Sequence, residues 1–169
     1  METKSTQEVA PSVVLTSNLV LEHWQGHRRL TRRVIELFPE EELFTYSVGG
    51  MRPFAQLAME MIAMAVPGVS GALTGTWQYF DESDFGKADP KTKEELLQLW
   101  DKTTGIIDEL WPQIPEARFQ EVDLAFGQYE MPIHAVIYYF IDNEIHHRGQ
   151  GYVYLRTLGI EPPGFWLRD

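Results

Sequence analysis

The residues best suited to chemistry lie together in the segment Asn143, Glu144, Ile145, His146 and His147. They interrupt a stretch, Pro132 to Gly159, in which Ile133, Val136, Ile137, Phe140, Ile141, Tyr154, Leu155 and Leu158 recur at helical spacing. Polar groups set into a core-facing stripe must be paired, hydrated or bound to something. Asn143 and His147 are four apart, so they share a helix face about 6 Å apart along the axis. His146 lies near that face, and Glu144 is one position round it. Imidazole is a good ligand for zinc, nickel or iron, and a carboxylate oxygen can complete such a set. Glu60 is the only charged residue between Pro53 and Phe80, and it could project toward the cluster from another helix. Buried alone it would take up a proton; beside a metal it could stay ionised. A purely structural arrangement fits the same residues. Glu60 and His147 would then hydrogen-bond to each other in the core, His146 would face solvent, and Glu144 and Arg148 would be an i,i+4 pair of surface charges.

Two further groups of histidines are weaker signals. His23 and His27 form a second i,i+4 pair on the first helix. A solvated or stacking role is favoured for them over a ligand role, although they could line the mouth of the same cavity. His134 opens the last helix, too far in sequence to share the cluster's turns, and reads as a capping or surface residue.

Four long helical segments must position these groups. The apolar periodicity, caps and prolines predict helices near 13–38, 53–80 with a break about Pro67, 92–111 and 132–158. The first starts near Thr16, after a loose polar arm over 1–11. Thr92 with Glu95 makes a capping box. Pro132 suits a first turn, and Gly159 followed by Pro162 and Pro163 suits a helix end. Phe119 to Phe126 alternates enough for a short extended stretch, and Gly127 fits a turn. With no repeat and no convincing central strand, the chain reads as one all-α domain over 1–169, a four-helix bundle.

Composition narrows the function classes. The chain has 169 residues, of which 44% are hydrophobic, enough for a sizeable core. There is no cysteine, which excludes disulfides, thiolate metal sites and cysteine nucleophiles. The net charge of −11 argues against a nucleic-acid partner, and the densest basic run, HRRLTRR at 27–33, sits on one short segment. No signal-peptide pattern and no apolar run of transmembrane length is read. The expectation is a cytoplasmic protein without a membrane partner.

The segment NEIHHRGQGYVYLRTLG resembles the last helix of the DinB-like, or DinB/YfiT, superfamily, which commonly ends in an HExHHRGQ-type segment followed by YLR and a leucine–glycine pair. The LFPEEEL turn after the first helix also fits, and the resemblance covers nearly the whole chain. It implies a four-helix bundle of up-down-down-up connectivity, a homodimer, and a divalent metal held by three histidines, one on the second helix and two on the last. Carried over, those ligand positions fall on Glu60, Asn143 and His147, so one imidazole of three remains. His146 is the other half of the HH pair and is not normally a ligand. The implied cofactor is a divalent ion (zinc, nickel, iron or manganese), held less tightly than three imidazoles would hold it or lost altogether. Some members of the family act in thiol chemistry, including transfer to bacillithiol or mycothiol, and one group is a maleylpyruvate isomerase. The resemblance therefore implies a metal-dependent hydrolase or transferase with a small-molecule or thiol substrate. A non-catalytic binding protein and a structural homodimer with a degenerate site are the alternatives.

Overall fold

A computed structural model describes residues 14–169; the expected arm over 1–11 and the first residue of the predicted helix lie outside them. Among the described residues there are four long helices, α1 (Ser17–Leu37), α3 (Phe54–Thr74), α4 (Lys93–Leu110) and α5 (Ile133–Thr157). A short helix, α2 (Glu40–Thr45), follows α1, and a hairpin of β1 (Val122–Ala125) and β2 (Tyr129–Pro132) precedes α5. Local chemistry sets most of the ends. The Thr16 side chain accepts from the Leu19 N–H and caps α1. Thr92 and Glu95 form the reciprocal capping box on α4. Gly159, at φ 77°, turns the chain out of α5.

The predicted break at Pro67 does not occur. Proline lacks the N–H that would reach back to Ala63, yet α3 runs through it and stops at Gly75, which takes the left-handed conformation at φ 74°. The helix thus ends six residues before the predicted Phe80. Burial explains the continuation, because Pro67, Gly68 and Val69 are all buried. A Cβ on Gly68 would lie 2.2 Å from the Phe140 ring, so α5 packs directly onto the helix at this point. Tertiary packing outweighs the lost hydrogen bond. α3 is also long and apolar enough by composition to cross a membrane, unlike the sequence expectation. Its apolar character is used inside the bundle, where 67% of its most apolar stretch is buried.

Neighbours in the bundle follow the order α1, α4, α3, α5 and back to α1. Side-chain pairs give the directions. Gln25 meets Asp108, and Lys93 meets the Phe38 carbonyl, so α1 and α4 are antiparallel. Gly68 abuts Phe140 while Gly151 abuts Phe54, so α3 and α5 are antiparallel. Trp24 stacks on Phe140, and His27 contacts Arg148 further along, so α1 and α5 are parallel. The result is an up-down-down-up bundle.

Two apolar clusters fill it. One gathers Val34, Phe38, Phe54, Leu57, Trp100 and Leu155. The other gathers Trp24, Val69, Ile107, Trp111, Ile137 and Phe140. Between them lies a layer of buried polar side chains: Arg28, Thr31, Thr103, Glu144 and Arg148. The hairpin pairs Val122 with Pro132 and Ala125 with Tyr129, extending the predicted extended stretch into a two-stranded ladder. Its turn has Phe126 at φ 53° and Gly127 at φ 65°, as a type I′ turn requires. For Phe126 that conformation costs about 1–2 kcal/mol, offset by burial of its ring.

Close helix approach gives a test. A Cβ on Gly151 would lie 2.4 Å from the Phe54 ring, which is itself fully buried against Phe38. Gly151→Ala is expected to destabilise the fold by about 1–3 kcal/mol, read as a lower urea midpoint at unchanged m-value.

Candidate functional site

The second and last long helices bring Glu60, Asn143 and His147 together. Glu60 lies in the middle of α3, and Asn143 and His147 lie one turn apart on α5. His147 Nε2 is 2.9 Å from Glu60 Oε1, and Asn143 Nδ2 donates to the same oxygen at 3.1 Å. The second carboxylate oxygen of Glu60 accepts from Arg52, which precedes α3. His147 Nδ1 is 2.7 Å from Gln150 Oε1, and Gln150 Nε2 in turn reaches Met51 Sδ at 3.4 Å. His147 is buried, whereas Glu60 and Asn143 are half-buried, so the cluster opens to solvent on the α3 side.

The electrostatics of Glu60 follow from these contacts. Burial, the largest single influence, raises its pKa, but hydrogen bonds from His147, Arg52 and Asn143 together bring it down to about 2. The carboxylate is therefore ionised across the whole neutral range. Both ring nitrogens of His147 face oxygens. An imidazolium donates to both; a neutral ring does as well if Gln150 turns its amide to present NH2 to Nδ1. In either state Nε2 carries a proton directed at Glu60.

Glu144 and Arg148 are not surface charges. Glu144 is 2% and Arg148 5% exposed, and their partners come from α1 rather than from each other. Glu144 accepts from Thr31 Oγ1 at 2.8 Å and from the Trp24 indole at 3.2 Å, with Arg28 Nη1 at 3.7 Å. Arg148 donates to the His27 carbonyl, to Thr31 Oγ1 and to His27 Nδ1. Arg28 also donates to Thr103, Thr104 and the Trp100 carbonyl, and its guanidinium lies 3.9 Å from the Trp100 ring centroid. Burial lowers Arg28 to about 10, against the pull of Glu144, so it remains charged. Burial likewise pushes Glu144 upward, against Arg28, Thr31, Arg148 and Trp24. The physical reason for the correction is the stripe Ile137, Ile141, Glu144, Arg148, Gly151, Leu155. Its three- and four-residue steps put these charges on the core face, and the same spacing makes them recoverable from sequence.

The remaining histidines separate. His27 is buried, with a pKa lowered to about 3, first by burial and then by Arg148, Arg168 and His23. It belongs to the charged layer through Arg148, and it meets His23 edge to face at 4.6 Å between ring centroids. His146 is exposed, as the structural alternative has it, and takes no part in the cluster. His134 is half-buried, and its Nδ1 lies 2.9 Å from the Phe119 carbonyl, tying the start of α5 to the preceding loop. The basic run on α1 is largely engaged. Arg28 is internal, Arg29 and Arg33 donate to the carbonyls of Arg168 and Leu167, and Arg32 pairs with Asp101 and Glu36. Arg52 and Gln150, which complete the Glu60–His147 cluster, were not singled out by sequence reasoning. Arg52 precedes the helix and carries no periodic signal. Gln150 is recoverable as the i+3 neighbour of His147.

Two outcomes test this arrangement. The Glu60 pKa lies below its unfolded value, so its contribution to stability is fully present above about pH 4.5 and is lost as pH falls toward about 2. Glu60→Gln should flatten that acid limb in urea titrations run at successive pH values. Glu144→Ala leaves Arg28 and Arg148 buried without their counter-ion and should cost about 3–5 kcal/mol in the same assay at neutral pH.

The comparisons with known proteins agree with this fold. The DinB family model matches residues 3–169. A DinB-like protein of Bacillus cereus ATCC 10987 superposes with a TM-score of 0.71 at 17% identity, covering 88% of this chain and 97% of that one. The DinB-like protein YjoA of Bacillus subtilis gives a TM-score of 0.70 at 17% identity, covering 89% and 99%. No curated protein sequence matches the chain. With a family match running almost from end to end and the same bundle in both solved structures, the chain belongs to the DinB family.

Proposed function

We propose that the protein acts on a small molecule at Glu60, Asn143 and His147, and that these side chains take up a divalent cation weakly. The observation that carries this is their convergence from helices 83 residues apart in sequence. The separations of 2.9 and 3.1 Å are hydrogen-bond lengths, and they are also close to the ~3.0 Å edge between neighbouring ligands of an octahedral ion about 2.1 Å away.

The donor set fits a partly hydrated ion better than a tightly held one. Among the described residues no group of three His, Cys, Asp or Glu side chains is assembled for a metal. Here Glu60 supplies a carboxylate oxygen, His147 an imidazole nitrogen and Asn143 an amide oxygen once its amide is turned. A bound cation supplies Lewis acidity toward an oxygen or thiol of the substrate. The chain's own residues do the rest. Glu60 holds a full negative charge, and Arg52 balances it. Gln150 fixes the His147 ring through Nδ1, leaving Nε2 directed at Glu60; with a cation bound, Nε2 would be a ligand, and without one it donates to Glu60. Asn143 offers either a donor or an acceptor to an incoming polar group.

The pairing of Glu60 supports a second reading. Both its oxygens are engaged and Arg52 already balances its charge, so the cluster could serve a non-catalytic binding protein without metal. Calorimetric titration of untagged protein with zinc and manganese separates the two. One equivalent is expected to bind. His147→Ala should weaken uptake roughly tenfold or more, and Asn143→His should tighten it and favour zinc. Arg52→Ala should also tighten it by freeing Glu60. The absence of uptake by both the wild type and Asn143→His would leave the metal-free reading.

A further inference from the structure

We infer that an apolar cavity beside the hairpin holds the hydrophobic head of a small ligand whose hydrogen-bond-donating tail reaches the Glu60–Asn143–His147 cluster. The inference rests on the reading of that cluster as the functional site, and it adds the substrate class: a compact aromatic or branched alkyl group bearing a short hydroxyl-terminated arm.

Three observations carry it. First, a cavity of about 190 Å³, open to solvent beside the exposed Tyr129, is lined by Phe80, Ala125, Phe126, Met131, Val136 and Phe140, with no charged side chain in its lining. An apolar cavity of roughly 150 Å³ accommodates a single aromatic ring, so the size fits one ring with a small substituent. Second, one wall is held in a conformation that the chain adopts at a cost. Phe126 has a positive φ of 53°, and its ring is fixed by Trp77 at 5.0 Å and Phe80 at 4.6 Å between centroids. A strained, well-packed aromatic beside a void is what a preformed binding wall looks like. Third, Tyr139 also lines the cavity and is 57% exposed. Asn143 and His147 follow it at four-residue steps on α5, so cavity and cluster lie along one side of the helix. The rise is about 6 Å from Tyr139 to Asn143 and about 12 Å to His147. A three-carbon arm spans the shorter of these distances. Glu60 Oε1 already accepts from Asn143 Nδ2 in the cluster, and such an acceptor suits a hydroxyl rather than a carboxylate at the end of the arm.

The probes are propylbenzene and 3-phenylpropan-1-ol, which share ring and chain and differ in the terminal hydroxyl. Binding is read from chemical-shift perturbation of the Ala125 and Val136 methyl groups in the full chain. Both probes should bind the wild type. Ala125→Leu, which fills the cavity, should weaken both at least tenfold, with a thermal melt confirming that the variant is folded. Val136→Ala enlarges the cavity and should admit naphthalene, which the wild type excludes; it serves where Ala125→Leu fails to fold. His147→Ala and Glu60→Ala should weaken only the alcohol, by several-fold. Failure of propylbenzene to perturb the two methyls at millimolar concentration, or its equal binding to the wild type and a folded Ala125→Leu, overturns the inference whatever the metal titrations show. An alcohol indifferent to both cluster variants overturns the link between cavity and cluster. Metal uptake by the wild type would still stand in either case, so the two proposals fail separately.

Discussion

The Glu144 carboxylate is the constraint around which this bundle is arranged. It is buried at the level where the two apolar clusters meet, and it faces one guanidinium from α1 and lies beside another on its own helix. Removing three charges from water costs several kcal/mol per ion, so such a layer persists only if almost every donor and acceptor finds a partner. Thr31 contributes by donating to Glu144 while accepting from Arg148. Thr103, Thr104 and the Trp100 carbonyl absorb most of Arg28, whose Nη1 alone lacks a hydrogen-bond partner. These bonds fix the rotation of α1, α4 and α5 about their axes, because a helix turned by one residue would present an apolar group to a buried charge. Greasy clusters alone would tolerate such a shift.

The candidate site depends on that fixed rotation. Asn143 and His147 immediately precede Glu144 and Arg148, so locking the inner pair into the α1–α5 seam directs the outer pair toward α3. Glu60 meets them there as the one charge on an otherwise apolar helix. The inner charges are thus structural and the outer ones available to solvent and ligands, and one helix supplies both sets at adjacent positions. Asn143 still presents an amide and Glu60 a carboxylate where the family resemblance implies imidazoles. On the proposed reading, that difference gives a bound cation a harder and more easily emptied donor set than three imidazoles would.

Much of this is written locally in the chain. The caps at Thr16 and at Thr92 with Glu95 are contacts within one turn, so the starts of α1 and α4 can be read from a few residues. Pro67 misleads because its effect on α3 is decided by Phe140, 73 residues away, packing onto Gly68. The convergence of Glu60 with His147 is legible only in part. The isolation of Glu60 and the four-residue spacing of Asn143 and His147 are visible, but Arg52 enters from a loop with no periodicity to mark it. The internal role of Glu144 and Arg148 is a case of pattern overruled by residue type. Their spacing continues the core stripe, whereas an i,i+4 acid–base pair is ordinarily a surface feature.

The order of helices around the bundle has a consequence for how the chain reaches this state. α1 and α3, consecutive among the long helices, are diagonal and share little surface, as are α4 and α5. The seam that buries Glu144 joins the first long helix to the last, across more than a hundred residues. Until α5 docks, Arg28 lacks the Glu144 carboxylate, and α1 is held only by its bonds to α4. The ionic layer is therefore a late-closing latch, made of the contacts most distant in sequence and most expensive to form incompletely. Bundles lacking α5 leave Arg28 without its closest carboxylate, which penalises them relative to the native state and sharpens the cooperativity of the final step.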